Sequence, residues 1–252
     1  MRFPDLGRLE PVCRPLLLLG RELWNAWKHV CQRKSMAMKV LDYECYWLSL
    51  GEGGVAGRFR IFADLIEDGT SVLDIGCGSG VFLQFLAQNK EDVKAFGIDV
   101  SAEAVRRARA KGVNSKVINV TEPQFQLDDV YDYIVLSEIL EHIPNPEELM
   151  LKLRGRFRKA MLISIPNIGY YPYRLRLLRG SFPLQWGLHP GEHLRYWTVK
   201  DFFFWVDQLG FRAEKVIASN GFPYLANWWP NLLGNQVVFV VREKRDVPSG
   251  LL

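Results

Sequence analysis

The feature that most constrains the fold is the stretch 72–80, which reads VLDIGCGSG. Apolar residues dominate it up to Gly76, as in a buried strand. Glycines then recur at every second position, and the apolar pattern of a helix begins at Val81. A strand, a glycine turn and a helix in this order present backbone N–H groups to a ligand, which glycine allows to approach closely. The stretch therefore predicts a ligand-binding turn at the end of a strand.

The spacing of the glycines and two aspartates limit the identity of the ligand. A dinucleotide site would have glycine or alanine where Val81 stands, and a P-loop would need a lysine that is absent here. Asp74 precedes the turn, and Asp99 ends the next predicted strand. A carboxylate at the first position suits a cationic ligand, and one at the second can bind both ribose hydroxyls. S-adenosylmethionine (SAM) meets both conditions, and the alternative is a tight turn without a ligand.

On this turn and the Gly-Ile-Asp strand end, residues 71–165 resemble the class I SAM-dependent methyltransferases. The resemblance implies an α/β Rossmann-like fold with a seven-stranded, mostly parallel sheet whose last strand is antiparallel. The alternation of predicted strands and helices also indicates a parallel sheet with helices on both faces.

This resemblance predicts that the chain is divided into three segments. Residues 1–67 form an N-terminal helical extension or lid, and residues 68–245 form the methyltransferase domain. That domain carries an insertion at 166–197, after the fifth strand, which is predicted to lie on the substrate side. Residues 246–252 are a tail.

The predicted cofactor-binding residues are those of the turn and of the next three strand ends. They are Asp74, Gly76, Cys77, Gly78, Gly80, Asp99, Val100, Asn119, Val120 and Ser137. The family usually has an acidic residue near the third strand end that faces the adenine amine. This chain has Asn119 there, which can still accept a hydrogen bond.

The fourth strand is followed by Glu138, Glu141 and His142 in an E-x-x-E-H pattern. It looks like an element of ubiquinone-pathway O-methyltransferases and of small-RNA 2′-O-methyltransferases, where it implies a divalent metal such as Mg²⁺ that acidifies the acceptor hydroxyl. If these residues form a turn of helix, the three side chains project to one face and could share an ion. The alternative is an acidic turn with His142 packed against it.

The insertion resembles the matching region of the methionine-biosynthesis protein MetW, with Pro-Asn-x-Gly, an Arg/Leu-rich helix ending in Arg-Gly, and a His-Leu pair before a threonine-capped helix. His193 lies in its loop and, with Glu138 and His142, could remove the acceptor proton. Its arginines, with those near 154–159, could form a cationic rim for an anionic acceptor, or they could be a solvated basic helix.

Two N-terminal regions are predicted to be helical. A basic, aromatic helix over roughly 15–32 could lie on a membrane surface or pack on the domain. Residues 36–67 hold two helices around a glycine-rich turn, and Tyr43, Tyr46 and Trp47 on the first could cover the cofactor or simply pack on the sheet. Arg58 and Arg60 could reach the methionine carboxylate of SAM.

The overall composition fits one decorated domain with a net charge of +4. Four cysteines without C-x-x-C spacing argue against a zinc or disulfide framework, and they favour a reducing cytoplasm. No spanning segment or signal peptide is expected. The first functional hypothesis is methyl transfer to a small molecule, at oxygen. The second is a non-catalytic or regulatory partner of a homoserine acyltransferase. The weakest is an RNA methyltransferase, which the arginines and the E-x-x-E-H pattern suggest. The mild net charge argues neither for nor against a nucleic-acid partner, and none is expected.

Overall fold

The computed structural model describes residues 13–31, 35, 37, 40–49, 51 and 53–244. The first residues of the predicted extension and the predicted tail, 246–252, lie outside these ranges. The division of the chain at residue 67 stays a prediction.

Seven strands and nine helices are present in the described part of the chain. The strands are β1 (Ser71–Ile75), β2 (Lys94–Asp99), β3 (Ser115–Val117), β4 (Tyr131–Ser137), β5 (Phe157–Pro166), β6 (Phe211–Gly221) and β7 (Gly234–Glu243). The helices are α1 (Cys13–Cys31), α2 (Tyr43–Ser49), α3 (Gly57–Leu65), α4 (Val81–Asn89), α5 (Ala102–Ala110), α6 (Pro146–Lys152), α7 (Tyr171–Leu178), α8 (Val199–Gln208) and α9 (Pro230–Leu233).

The strands form one sheet in the order β3-β2-β1-β4-β5-β7-β6. The five strands from β1 to β5 pair in parallel, and β7 is antiparallel to both of its neighbours. The predicted α/β fold with a seven-stranded, mostly parallel sheet is thereby confirmed. Because β1 lies between β2 and β4, the chain leaves the sheet centre in opposite directions there, and such a switch point opens a crevice at the carboxyl ends of the strands.

Alternating side chains of the central strands build two separate cores. Leu73, Ile134 and Ile163 belong to the core on one face, where they pack with helix α8 residues such as Phe202. Their neighbours in sequence, including Val72, belong to the other core with residues of α3 and α4. Period-2 alternation with both faces apolar requires helices on both sides of the sheet, as the sequence predicted.

The ends of several elements follow from local chemistry. Ser101 caps α5, because its hydroxyl accepts a hydrogen bond from the Ala104 N–H at 3.2 Å. Thr198 caps α8 with a reciprocal Asp201 contact. The third strand ends at Val117, and just beyond it the Asn119 side chain accepts hydrogen bonds from Thr121 and closes a turn.

The predicted N-terminal amphipathic helix is present as α1, which packs against α7 of the insertion. Arg176 on α7 ties the two helices together, since its guanidinium donates to the Val30 carbonyl at 3.1 Å. Across the described residues, the structure contains no helix with the length and apolar character needed to cross a bilayer.

Asn167 joins the end of β5 to the segment before β7. Its amide nitrogen donates to the carbonyls of Gly234 at 2.7 Å and Pro230 at 3.1 Å, and its amide oxygen accepts from the Gly169 N–H at 2.9 Å. The residue is fully buried. A buried side chain that satisfies several backbone groups holds the insertion against the sheet.

We therefore expect Asn167→Ala to lower the free energy of unfolding by about 3 kcal/mol, because buried backbone groups lose their partners. Urea denaturation followed by circular dichroism measures this change. The control is Asn89→Ala, which removes one exposed hydrogen bond at the end of α4 and should change the stability by less than about 0.5 kcal/mol. Equal stabilities for the two variants would contradict the assigned role.

Candidate active site

One cavity of about 830 Å³ opens at the carboxyl ends of β1, β2 and β4. Its volume lies in the range of small-molecule sites. It is lined by nine of the ten predicted cofactor residues and, in the same continuous space, by Glu138, Glu141, His142 and His193. These nine predicted cofactor-binding residues and the predicted catalytic residues therefore line the same cavity.

Asp99 organises the glycine turn. One carboxylate oxygen accepts the Gly78 N–H at 2.8 Å, and the other accepts the Ser101 N–H at 2.9 Å. Gly78 has a φ of +54°, and a Cβ there would lie 2.6 Å from the Trp47 ring. Only glycine therefore allows both the positive φ of the turn and the close approach of the Trp47 ring.

Gly80 is the one predicted cofactor residue that does not line the cavity. It has a φ of +74°, and a Cβ at this position would lie 2.9 Å from that of Ala108. Gly80 allows α4 to begin after a left-handed residue and lets α5 pack closely, and its predicted contact with the cofactor stays a prediction. The sequence could not separate these uses because both require glycine.

Asp74 supplies a buried negative site in the wall of the cavity. The residue is almost fully buried, and its Oδ1 has no hydrogen-bond partner among the described residues. Burial, and next the nearby Asp99 carboxylate, raise the pKa of Asp74. The Asp74 and Asp99 carboxylates therefore favour a ligand that brings hydrogen-bond donors or positive charge, as the amino-acid arm and ribose of SAM do.

The opposite end of the cofactor half is apolar. Val100 and Val120 line it on the strand ends of β2 and β3. Asn119 also lines the cavity, but its side-chain oxygen already accepts the Thr121 N–H at 3.1 Å and the Thr121 hydroxyl at 2.7 Å. In this conformation its amide nitrogen, and not its oxygen, is the group left for a ligand.

Helix α2 covers the cavity with aromatic side chains. Tyr43, Tyr46 and Trp47 all line it, which favours the lid interpretation over simple packing on the sheet. The helix is held by Glu44, whose carboxylate accepts hydrogen bonds from the Ser101 hydroxyl and from the Glu103 N–H. The lid is therefore attached to the segment that follows the Asp99 turn.

The fourth strand ends in a strained residue. Glu138 has a φ of +56°, which is uncommon for a residue with a Cβ and is typical of functional sites. Its Oε2 accepts the Gln236 amide at 3.1 Å, and its Oε1 is buried without a partner among the described residues. Beside it, the Ser137 hydroxyl accepts the Arg58 N–H at 2.9 Å.

Glu141, His142 and His193 form a compact cluster. One ligand atom from each lies within 4.8 Å of the others, and the three residues belong to a 3-10 turn (Leu140–His142) and to the insertion. Both Glu141 oxygens are buried without a hydrogen-bond partner among the described residues. The predicted metal set contained Glu138 in place of His193, so the structure brings together two of its three members and adds the histidine from the insertion.

The His142 ring is oriented by the insertion. Its Nδ1 lies 2.6 Å from the Glu192 carbonyl and so carries the proton, which leaves Nε2 as an acceptor. The Glu192 carboxylate in turn accepts the N–H groups of Gly187 and His189. The ring of His189 caps this loop, because its Nδ1 accepts the Gly191 N–H at 2.9 Å.

Burial shifts every titratable group in the cluster toward its neutral form. It raises the pKa of Glu141, an effect that Glu138 reinforces, and it lowers the pKa of His142. Burial, with His142 second, lowers the pKa of His193 to about 4. The cluster therefore offers two neutral imidazoles and a carboxyl group without a hydrogen-bond partner among the described residues. These three groups can serve as the ligands of a cation.

The arginines of the predicted cationic rim do not line the cavity. Five of them donate to main-chain carbonyls. Arg174 binds Gly169, Arg176 binds Phe182 and Val30, Arg154 binds Leu209, Arg156 binds Asp128 and Arg158 binds Val130. These five arginines stabilise loop and helix ends, and the anionic acceptor stays a prediction.

Sequence reasoning missed two residues of the site. Gln236 comes from the antiparallel strand β7, and Glu192 orients His142 through its main-chain carbonyl. Neither belongs to a motif, and only the pairing of β5 with β7 brings Gln236 next to Glu138. Arg58 was predicted at the methionine carboxylate, and it lines the cavity beside Ser137.

Comparisons with known proteins agree with this architecture. A family model described as "Methionine biosynthesis protein MetW" matches residues 57–241. A ubiquinone biosynthesis O-methyltransferase of Erwinia tasmaniensis is 28% identical over 200 residues, 71% of this chain and 76% of that protein. The bifunctional methionine biosynthesis protein MetXA/MetW of Rhodopirellula baltica is 27% identical over 155 residues, 55% of this chain and 24% of that protein. A SAM-dependent methyltransferase structure from Archaeoglobus fulgidus matches with a TM-score of 0.54 at 20% identity, over 74% of this chain and 91% of that chain.

We expect Asp99→Asn to weaken SAM binding about 100-fold, because the site loses a charged acceptor for ribose hydroxyls and one of the two oxygens that accept the Gly78 and Ser101 N–H groups. Isothermal titration calorimetry measures the affinity, and thermal melting checks the fold. The control is Asp64→Asn on the exposed side of α3, which should bind SAM like the unaltered chain. Normal binding by the Asp99 variant would show that the ribose lies elsewhere.

Proposed function

Since the chain belongs to the MetW family of methionine biosynthesis proteins and has the class I SAM-dependent methyltransferase fold, we propose that it transfers the SAM methyl group to an oxygen of a small-molecule acceptor. The observation that carries this proposal is the single cavity shared by Asp74, Asp99 and the Glu141–His142–His193 cluster. A cofactor and an acceptor can therefore meet without crossing solvent. The name of the Erwinia tasmaniensis relative, an O-methyltransferase, supports oxygen as the acceptor atom.

Transfer forms a bond between the acceptor oxygen and the methyl carbon while the sulfur–methyl bond breaks, which leaves S-adenosylhomocysteine. The acceptor proton must pass to a base. Glu138 suits this role, because burial raises its pKa toward the range of an effective general base and its Oε1 has no partner among the described residues. The lid residues on α2 align the reactants and exclude water.

The donor set at the acceptor end fits a divalent cation. Glu141, His142 and His193 would hold it, and Glu192 would keep His142 Nε2 turned toward it. When bound, such an ion lowers the pKa of an acceptor hydroxyl. The sequence pattern suggested Mg²⁺, but two imidazoles beside one carboxylate suit ions such as Mn²⁺ or Fe²⁺ better.

Glu141→Gln should lower the affinity for Mn²⁺ at least about 100-fold, because the cluster loses its only carboxylate. Calorimetry with Mn²⁺ measures this loss, and the same samples should bind SAM normally. Glu148→Gln, on the exposed side of α6, is the control and should retain Mn²⁺ binding. If the unaltered chain binds SAM but no Mn²⁺, the metal is wrong while the methyltransferase proposal still stands.

A second candidate function is regulation of a homoserine acyltransferase. It is favoured by the Rhodopirellula baltica relative, whose name joins MetXA and MetW in one bifunctional protein. In this function the SAM site would report methionine supply to the partner. RNA methylation remains a weaker hypothesis, because its sequence support was the E-x-x-E-H pattern and arginines that are now engaged with carbonyls.

Two measurements separate these functions. If the chain regulates a partner, it should co-purify with a co-expressed homoserine acyltransferase and alter its rate in a SAM-dependent way, which Asp99→Asn should abolish. If the chain is a methyltransferase, S-adenosylhomocysteine should accumulate with a hydroxyl-bearing acceptor in the absence of any partner. Asp64→Asn is the control in both experiments.

A further inference from the structure

Helix α1 exposes large apolar side chains within residues 20–28. Leu23, Trp24 and Trp27 are exposed, the two tryptophans by 44% and 56%. Among the side chains described in this helix, Ala26 is buried, and Glu22 and Val30 are partly buried. A helix that packs on a domain normally buries most of its large apolar side chains.

The neighbouring helix α7 also exposes apolar side chains. It buries Pro172, Tyr173 and Arg176, and its leucines Leu175, Leu177 and Leu178 are exposed, the last by 83%. Just beyond the helix, Phe182 is also exposed. Adjacent helices thus both expose residues that folding would be expected to bury.

A third segment continues this surface. Tyr171 of α7 contacts Phe222, with ring centroids 6.1 Å apart, and Arg174 donates to the Asn231 carbonyl. The turn between these two contacts exposes Trp228 by 75%. The apolar side chains of α1, α7 and this turn therefore belong to three segments in contact, and none of them lines the active-site cavity.

The charge around these side chains is one-sided. The segments 20–31, 171–182 and 222–233 contain five Lys or Arg residues, four of them exposed and one, Arg176, buried, and one acidic residue. The Lys28 ammonium lies over the Trp24 ring, 5.4 Å from its centroid. Tryptophan and leucine at the acyl boundary, with cations at the level of lipid phosphates, are the composition of an interfacial helix.

We propose that α1, α7 and the 222–229 turn form a docking surface for an anionic lipid bilayer. A bilayer explains the combination of apolar exposure and excess positive charge, because apolar side chains enter the headgroup region while Lys and Arg attract anionic lipid. Nothing in this proposal depends on the methyl acceptor or on the metal. In this proposal three segments contact the membrane, and the N-terminal helix α1 is one of them.

The test is flotation of the full chain with vesicles of phosphatidylcholine containing roughly one third phosphatidylglycerol. The unaltered chain should float with these vesicles and less with pure phosphatidylcholine. Trp24→Ala/Trp27→Ala should lower the partition coefficient at least about tenfold, because two interfacial anchors are lost. Arg21→Glu/Lys28→Glu should lower it most at low salt.

The control is Val117→Ser, which removes an exposed apolar side chain on β3 at the far edge of the sheet and should float like the unaltered chain. All variants should keep their melting temperature and SAM affinity, since the altered side chains are exposed and lie outside the cavity. Failure of the unaltered chain to float, or equal flotation of the tryptophan variant, would overturn the proposal. Loss of acyltransferase co-purification in that variant, without flotation of the unaltered chain, would identify a protein interface instead.

Discussion

The active site depends on the carboxylate of Asp99, which hydrogen-bonds to two of its segments. It accepts the N–H of Gly78 in the glycine turn and the N–H of Ser101 before α5. The Ser101 hydroxyl in turn binds Glu44 on the lid helix. One buried side chain thus connects the turn, the second strand and the segment that anchors the lid. Because it is buried, each of these hydrogen bonds is stronger than it would be in water.

The acceptor end of the cavity has the opposite character, since its polar groups are poorly satisfied. Glu138 sits in a strained backbone conformation with one orphan oxygen, and Glu141 has two. Such groups reduce stability unless a ligand, cation or proton satisfies them. A folded protein that retains them is organised for binding, and the insertion contributes to this end of the cavity by adding His193 and orienting His142.

The insertion therefore has two sides. Its loop at 191–194 completes the cavity, while its helix α7 joins α1 in exposing leucine and tryptophan. Arg176 belongs to the second of these arrangements, because its buried guanidinium holds α7 to α1 and to the chain at Phe182.

Much of the fold could be predicted from local patterns in the sequence. Apolar alternation indicated the strands of the sheet, glycines that need positive φ indicated the turn, and an aspartate at a strand end indicated the side of the sheet that faces a ligand. Other features became visible only in the folded chain. Gly80 packs against Ala108, five arginines donate to carbonyls, and His193 lies beside Glu141 and His142. These contacts join residues far apart in the chain, and the local patterns that identify strands and turns do not encode them.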